Sequence, residues 1–238
     1  MIENNRMESK AKKIAFIEKY LEAPNIIEIK DLSSEDKELL VESWISILSK
    51  PPEERPNKAL SHWTKYNSEL EQTIEYLESN LVSVDLIRHS AGLSLVYGIQ
   101  ANDASGIYYY EGRNPKTKTV SGKLAGVWPK IPDLLREFYD LHNGWFYLAS
   151  ESMGLSPCEN IGFLSDDEWG ILDDIGEQPI NMDKTISVWS NGMGAYICLE
   201  FTNNGSLQCL IWDAKGPPKY NLEFWPVVDS WTVMGFEV

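Results

Sequence analysis

The strongest constraint on the fold is a set of three short apolar stretches in the C-terminal half, separated by glycine-rich turns. Residues 185–189, 195–201 and 207–212 have the composition of β-strands, and the turns between them contain NGMG and TNNG. Asn-Gly between apolar stretches is the strongest short-range hairpin signal. The pattern therefore predicts a meander of three antiparallel strands.

Helices are predicted on both sides of this meander. Residues 131–144, IPDLLREFYDLHNG, place Pro132 at a first helical position, and Asp133 complements the positive end of the helix dipole. Asn143-Gly144 ends this helix with one residue in the left-handed conformation. Residues 145–147 form an aromatic, strand-like run. Residues 222–234 carry apolar side chains at helical spacing and predict a closing helix on the sheet.

The N-terminal half is predicted to be mainly helical. Apolar spacing indicates helices over residues 10–21 and 33–49, with Ser33 as the N-cap of the second. Ser68 and Glu71 form a capping-box pattern ahead of a further helix. Ser83 is a candidate cap for a short helix that runs to His89. Residues 93–99 fit either a strand or a buried helix end, and residues 107–110 fit a strand with three tyrosines. Residues 111–123 are basic and predict either an exposed loop or a long hairpin tip.

These elements predict an α+β fold, in which an antiparallel meander is flanked by helices and preceded by a mainly helical N-terminal extension. We place the transition within residues 82–130, giving an N-terminal region of residues 1–125 and an α+β domain of residues 126–238. The chain of 238 residues is 43% hydrophobic, which is ordinary for a globular protein. No apolar run approaches the ~18 residues of a membrane span. The polar start lacks the apolar stretch of a secretory signal, so we expect a cytoplasmic protein.

The distribution of charge is more informative than the net charge of −15. Residues 1–130 contain 17 Lys and Arg and 19 Asp and Glu, whereas residues 131–238 contain 4 and 17. Such a field repels nucleic acid and anionic membranes, and it attracts a basic partner. An acidic surface also keeps a protein soluble without any partner, and composition alone favours that simpler interpretation.

A polar loop over residues 166–183, which we call the acidic loop, contains seven acidic residues and is the first candidate for a partner-binding surface. Charged runs are more often merely solvated. Trp169 lies among these acids, and an exposed tryptophan there would be an interface anchor. The candidate residues are Asp166, Asp167, Glu168, Trp169, Asp173, Asp174, Glu177 and Asp183.

Residue types that carry catalysis are scattered along the chain. The three histidines suggest no base beside a nucleophile, and His142 is explained by the favourable position of a cation near a helix C-terminus. The three cysteines, Cys158, Cys198 and Cys209, predict buried free thiols. Asp166-Asp167-Glu168 lacks the spacing and the glycine of a calcium loop. We therefore expect no catalytic residues, no metal and no cofactor.

The order of elements resembles the SMI1/KNR4 family, also called the SUKH superfamily, over roughly the last 110 residues. The resemblance depends on Ile131-Pro132, Leu135, Phe138 and Asn143-Gly144, on Ser190–Gly194 before a meander strand, and on Gly205 in the next turn. The first ~120 residues lie outside it. Bacterial members are mostly immunity proteins that bind and block toxins, often nucleases, and fungal members regulate cell-wall signalling.

The resemblance implies a non-enzymatic binding protein that neutralises a bacterial toxin such as a nuclease. The acidic C-terminal part agrees with this role, because an acidic surface would complement a basic active-site cleft. Two alternatives stay open. One is a regulatory or scaffold module of the same family with a different protein partner. The other, from a different class, is an enzyme that uses the acidic loop with a metal. The sequence leaves the toxin and the oligomeric state open.

Overall fold

The structure of the chain is a computed structural model that describes residues 10–103, 106–176 and 178–236. The helices of these residues are α1 Lys10–Ile17, α2 Ser34–Glu38, α3 Glu42–Leu48, α4 Arg55–Ser61, α5 Glu71–Asn80, α6 Gly122–Val127, α7 Asp133–Leu141, α8 Leu172–Ile175 and α9 Phe224–Phe236. The strands are β1 Asn25–Ile27, β2 Leu81–His89, β3 Gly92–Gln100, β4 Ile107–Arg113, β5 Trp145–Tyr147, β6 Ser152–Leu155, β7 Thr185–Ser190, β8 Ala195–Phe201, β9 Leu207–Asp213 and β10 Lys219–Leu222.

All ten strands form one sheet in which spatial order equals chain order, from β1 to β10. Every neighbouring pair is antiparallel. The predicted three-strand meander is confirmed as β7, β8 and β9, and it is the C-terminal part of a much longer meander. The α+β fold class is therefore confirmed.

The two faces of the sheet are covered by different parts of the chain. Side chains alternate between faces along a strand, so Leu95 and Tyr97 point into the main core with the helices while Val96 points the other way. On that second face, Ile17 and Leu21 cover the N-terminal strands. A separate apolar cluster with Cys198 and Trp212 covers the C-terminal strands of the same face, as described below.

The predicted helix over residues 83–89 is wrong, because this segment lies inside strand β2. It pairs with β3 along its length and with β1 at residues 86–88. Val84 and Leu86, two positions apart, both enter the helical core, whereas Ile87 enters the cluster on the other face. Strand pairing and burial on two faces thus override the local capping signal.

The predicted capping box at Ser68 and Glu71 is also wrong. The hydroxyl of Ser68 donates to Glu69 Oε2 at 2.5 Å, and Leu70 occupies the N-cap position of α5 without a side-chain cap. The carboxylate of Asp229 in α9 accepts hydrogen bonds from the backbone N–H groups of Gln72 at 3.0 Å and Thr73 at 2.8 Å. The helix is therefore capped by a residue that lies far along the chain.

Other helical predictions are confirmed with corrected limits. Ser33 caps α2, accepting a hydrogen bond from the N–H of Asp36 at 3.0 Å, but the expected single helix over residues 33–49 is split into α2 and α3. Pro132 occupies the N-cap of α7 instead of its first helical position, and Gly144 is the left-handed residue after it, with φ of 80°. The closing helix α9 is confirmed.

The sheet continues across the boundary that the sequence suggests at residue 125. Strand β4 pairs with β5 through Tyr110 and Tyr147, and the main core contains residues from both sides. The segment over residues 111–123 is only partly a loop, because it contains the end of β4 and the start of α6. Its Arg113, Lys118 and Lys123 form ion pairs with acidic residues beyond residue 130.

Candidate functional site: the acidic segment

Residues 164–176 and 178–183 form a layer over the outer face of β8 and β9, and we call residues 164–183 the acidic segment. Its apolar side chains pack against Cys198, Leu210 and Trp212 of the two strands. The inward-facing residues of the segment are Leu164, Trp169, Ile171, Leu172, Ile180 and Met182. The alternation of apolar and acidic residues in the sequence thus separates into a buried side and a solvent side.

Trp169 packs on the sheet and is half-buried. Its ring centroid lies 5.5 Å from that of Trp212 and 5.7 Å from that of Tyr196, in edge-to-face geometry. Its indole N–H donates to the carbonyl of Leu164 at 2.6 Å. Such pairs contribute about 0.5–1.5 kcal/mol beyond burial alone, so this residue holds the acidic segment on the strands.

Polar contacts fix the C-terminal end of the segment. The buried carboxylate of Glu200 accepts a hydrogen bond from the N–H of Asn181 at 2.8 Å, and the hydroxyl of Thr185 donates to the carbonyl of Asn181 at 2.9 Å. The hydroxyl of Tyr220 in β10 donates to Gln178. The segment is therefore attached to three strands, although most of it lacks regular secondary structure.

Asp166 and Asp183 lie together around one lysine from the N-terminal half. Lys123 Nζ is 2.5 Å from Asp166 Oδ1, and the N–H of Phe163 donates to Asp166 Oδ2 at 3.0 Å. The hydrogen bond from Lys123 is the main cause that lowers the pKa of Asp166, and that same bond, with the nearby charge of Asp183, raises the pKa of Lys123. Asp166 is therefore ionised but already partnered.

The remaining predicted acids stand in solvent. Asp167, Glu168, Asp173 and Asp174 are exposed, and none of them has an ion-pair partner among residues 10–103, 106–176 and 178–236. The two acids of α8 lie in its first turn, where the helix dipole stabilises negative charge. Glu177 lies outside the described residues. The acidic segment thus presents these four carboxylates to solvent, and its apolar side chains pack against the sheet.

The cysteines are buried free thiols, as predicted. Burial raises the pKa of Cys158 and Cys209 to about 12, and it raises the pKa of Cys198 as well. Thiols held in this way stay protonated at neutral pH, and a thiol is a far weaker nucleophile than a thiolate.

The interpretation of His142 as a cation at a helix terminus is wrong. The side chain is fully buried beside Trp44, and its Nε2 lies 2.8 Å from the hydroxyl of Tyr97. Burial lowers the pKa of His142 to about 3, because a charged imidazolium would lose its hydration in this aromatic environment. His142 is therefore a neutral residue of the core.

The two partners that organise the acidic segment, Lys123 and Glu200, were not predicted from the sequence. Lys123 belongs to a different part of the chain, and no motif connects it to Asp166. Glu200 stands in the apolar strand β8, where an isolated acid is a weak sign of a buried hydrogen bond. Alternation along β8 would have placed its side chain on the face that the segment covers.

Among the described residues, no group of three or more His, Cys, Asp or Glu is arranged to hold a metal ion. In the same part of the chain, every helix is too short or too polar to cross a lipid bilayer. No family model, curated protein or solved structure matches the chain.

Proposed function

We propose that this protein is a non-enzymatic, cytoplasmic binding protein that recognises a basic protein partner through the acidic segment. The observation that carries the proposal is a set of four exposed carboxylates, Asp167, Glu168, Asp173 and Asp174, on a segment packed against the sheet. None of the four has an ion-pair partner in the part of the chain that the structure describes. Because the segment is already packed on the sheet, binding would not have to offset the conformational entropy that is lost when a loop becomes ordered.

Electrostatics favours a basic partner over an acidic or neutral one. The C-terminal part contributes most of the net charge of −15, and Asp166, which is paired with Lys123, adds little to the free acidic surface. Charges at the rim of an interface mainly raise the association rate, which falls as salt screens them. Rapid association suits a protein that must block a harmful partner before it acts.

The resemblance to the SMI1/KNR4 family supports a bacterial toxin as the partner, with a nuclease as one possibility. In this proposal the acidic segment occupies or borders the basic cleft of the toxin. A regulatory module of the same family would bind a different basic protein through the same surface, so the identity of the partner separates the two interpretations.

The experiment uses a variant in which the four free carboxylates are neutralised, namely Asp167→Asn, Glu168→Gln, Asp173→Asn and Asp174→Asn. A partner is first captured from native lysate at low and at high salt, identified, and purified. We expect the variant to bind it at least about tenfold more weakly at low salt, with most of the loss in the association rate. We also expect the variant to protect cells poorly if the partner is a toxin.

The matched control neutralises four exposed acids of the N-terminal half: Glu18→Gln, Glu22→Gln, Glu35→Gln and Glu75→Gln. It changes the net charge equally and leaves the acidic segment intact. Equal loss in both variants would show that only net charge matters and would contradict the proposed site. A captured partner that is harmless to cells would favour the regulatory interpretation.

A further inference from the structure

A groove lies along strand β2 on the side of the molecule where the sheet has its N-terminal edge. It has a volume of about 540 Å³. Leu81, Val82, Ser83 and Asp85 of β2 line it, together with residues from the ends of β1, α4 and α5 and from α1. A volume of this size is in the range of small-ligand and peptide-binding clefts.

The groove coincides with a stretch of β2 that has a free edge. Strand β1 pairs with β2 only through residues 25–27 and 86–88, and the chain then turns into a short 3-10 helix at residues 29–31. Along residues 81–85, β2 pairs with β3 on one side, with a β-bulge between Leu81 and Ser83, and no described strand pairs with it on the other side. Such an edge offers unpaired backbone N–H and C=O groups to an added strand.

The charged groups within the groove are mostly neutralised by each other. Lys13 forms an ion pair with Asp85 and also donates to the hydroxyl of Ser83 at 2.7 Å. Arg55 is buried and forms an ion pair with Glu28, and its Nη1 lies 3.8 Å from Asp85 Oδ1. These ion pairs give the floor of the groove, beside the free edge, no net charge.

The uncompensated charge at the groove is negative on balance. Glu53 and Glu78 are exposed lining residues, and neither has an ion-pair partner among the described residues. Lys10, the remaining lining cation, donates to the carbonyl of Ile26 at 3.0 Å and lies over β1 instead of the free stretch of β2. A basic side chain would therefore be favoured beside residues 81–85.

We propose that an extended segment of a partner protein, bearing lysine or arginine, adds to β2 along residues 81–85 as a new antiparallel or parallel strand. Main-chain hydrogen bonds to β2 would provide most of the affinity, and Glu53 and Glu78 would select basic side chains. The free stretch of five residues spans about 16 Å at most, because the bulge between Leu81 and Ser83 shortens it, and this length matches a short strand. This contact lies on the N-terminal strands and does not depend on the acidic segment.

The test uses a capped peptide of about eight residues that alternates valine and lysine, long enough to cover the free stretch. Binding to the full chain is followed by amide chemical shifts and by hydrogen exchange. We expect shifts and slower exchange at residues 81–85, and loss of both when alternate peptide nitrogens on the pairing edge are methylated. A version with glutamate in place of lysine should bind far more weakly.

The charge contribution is tested with Glu53→Lys combined with Glu78→Lys. Because this variant replaces two attractive contacts with two repulsive ones, and exposed ion pairs are individually weak, it should bind the lysine peptide at least about threefold more weakly. The control is Glu75→Lys, an exposed acid on α5 that does not line the groove, and it should bind like the wild type.

Three results would overturn the proposal. The first is no change at residues 81–85 with millimolar peptide, and the second is equal binding by the methylated peptide. The third is binding that occurs only after residues 1–9 are removed, which would assign this edge to the protein's own N-terminus instead of a partner. Amide shifts that occur only in the acidic segment would also contradict strand addition to β2, because residues 81–85 would be unchanged. They would not contradict the proposed function.

Discussion

At the scale of single residues, burial decides the chemical character of several titratable side chains. His142 lies in the core among Trp44, Trp63 and Phe138, and its one polar contact with a described side chain is with the hydroxyl of Tyr97. The same imidazole at an exposed helix end would be a favourable cation. Desolvation in this aromatic environment exceeds any benefit from the helix dipole, so the neutral form is retained.

We predict that the protein becomes less stable as the pH falls from 7 to 5 because of His142. Its pKa is about 3 in the folded state, against 6.5 for an ordinary histidine, so the unfolded chain binds a proton that the folded chain rejects. The free energy of unfolding should fall by about 2 kcal/mol over this range. Urea unfolding at several pH values measures the slope.

Two further measurements separate His142 from the other groups. His142→Gln should lower the free energy of unfolding at pH 7 but reduce its dependence on pH. His62→Gln, at a half-buried histidine, should leave most of that pH dependence in place. In the wild type, the imidazole resonance of His142 should not titrate between pH 7 and pH 5. A titration midpoint near 6.5 would contradict the burial argument.

At the scale of elements, two segments owe their position to residues that are remote in the sequence. Helix α5 is capped by Asp229 of α9, which joins the two helices at their contact. The acidic segment is held by Trp169 on Trp212 and by Glu200 of β8. In both cases, residues that are distant in the sequence fix a segment whose local sequence signals are ambiguous.

We predict that Asp229→Ala lowers the free energy of unfolding by about 2 kcal/mol. The substitution leaves the N–H groups of Gln72 and Thr73 without acceptors at a buried site, which costs more than the loss of an exposed cap. Ser33→Ala, which removes the exposed cap of α2, should cost about 1 kcal/mol or less. Equal costs in urea unfolding would argue against a role for Asp229 beyond that of an ordinary cap.

We predict that Trp169→Ala loosens the acidic segment and weakens partner binding. Loss of this half-buried side chain should cost about 2 kcal/mol, somewhat less than is usual for a fully buried tryptophan. Hydrogen exchange should become faster in residues 164–183 while β2 and β3 keep their protection. Met193→Ala, in a turn where the side chain is 72% exposed, is the control and should change neither quantity.

At the scale of the whole molecule, one meander joins two halves of very different charge. Lys65–Glu137, Arg113–Glu159 and Lys123–Asp166 are ion pairs between the nearly neutral N-terminal half and the acidic C-terminal half. Each exposed pair contributes little by itself. The pairing of β4 with β5 and the shared core are the larger connections.

We predict that the chain unfolds as one cooperative unit. Residues 126–238 produced alone should not give a dispersed NMR spectrum, because they would expose Phe138, Trp145 and the unpaired edge of β5 that the N-terminal half covers. Unfolding of the full chain should give coincident transitions by tryptophan fluorescence and circular dichroism. Two separate transitions, or a folded fragment, would support the division at residue 125 that the sequence suggests.

The sequence by itself determined those parts of the protein whose signals are local. The turns with Asn-Gly and the alternating strands of residues 185–213 predicted the C-terminal meander, and Asn143-Gly144 predicted the end of α7. The free buried cysteines followed from their apolar surroundings. Backbone preferences and short-range periodicity are properties of neighbouring residues, so a single sequence is enough to detect them.

Only the tertiary structure decided which local signals prevail and which acids remain free. Residues 83–89 became a strand because β3 pairs with all of them and β1 pairs with residues 86–88, and α5 is capped by Asp229 instead of Ser68. Asp166 forms an ion pair with Lys123, whereas Asp167 has no ion-pair partner among the described residues. These outcomes depend on pairings between distant segments, whose free energy is set by burial and by desolvation in the folded molecule, and neither is encoded in the local pattern of residues.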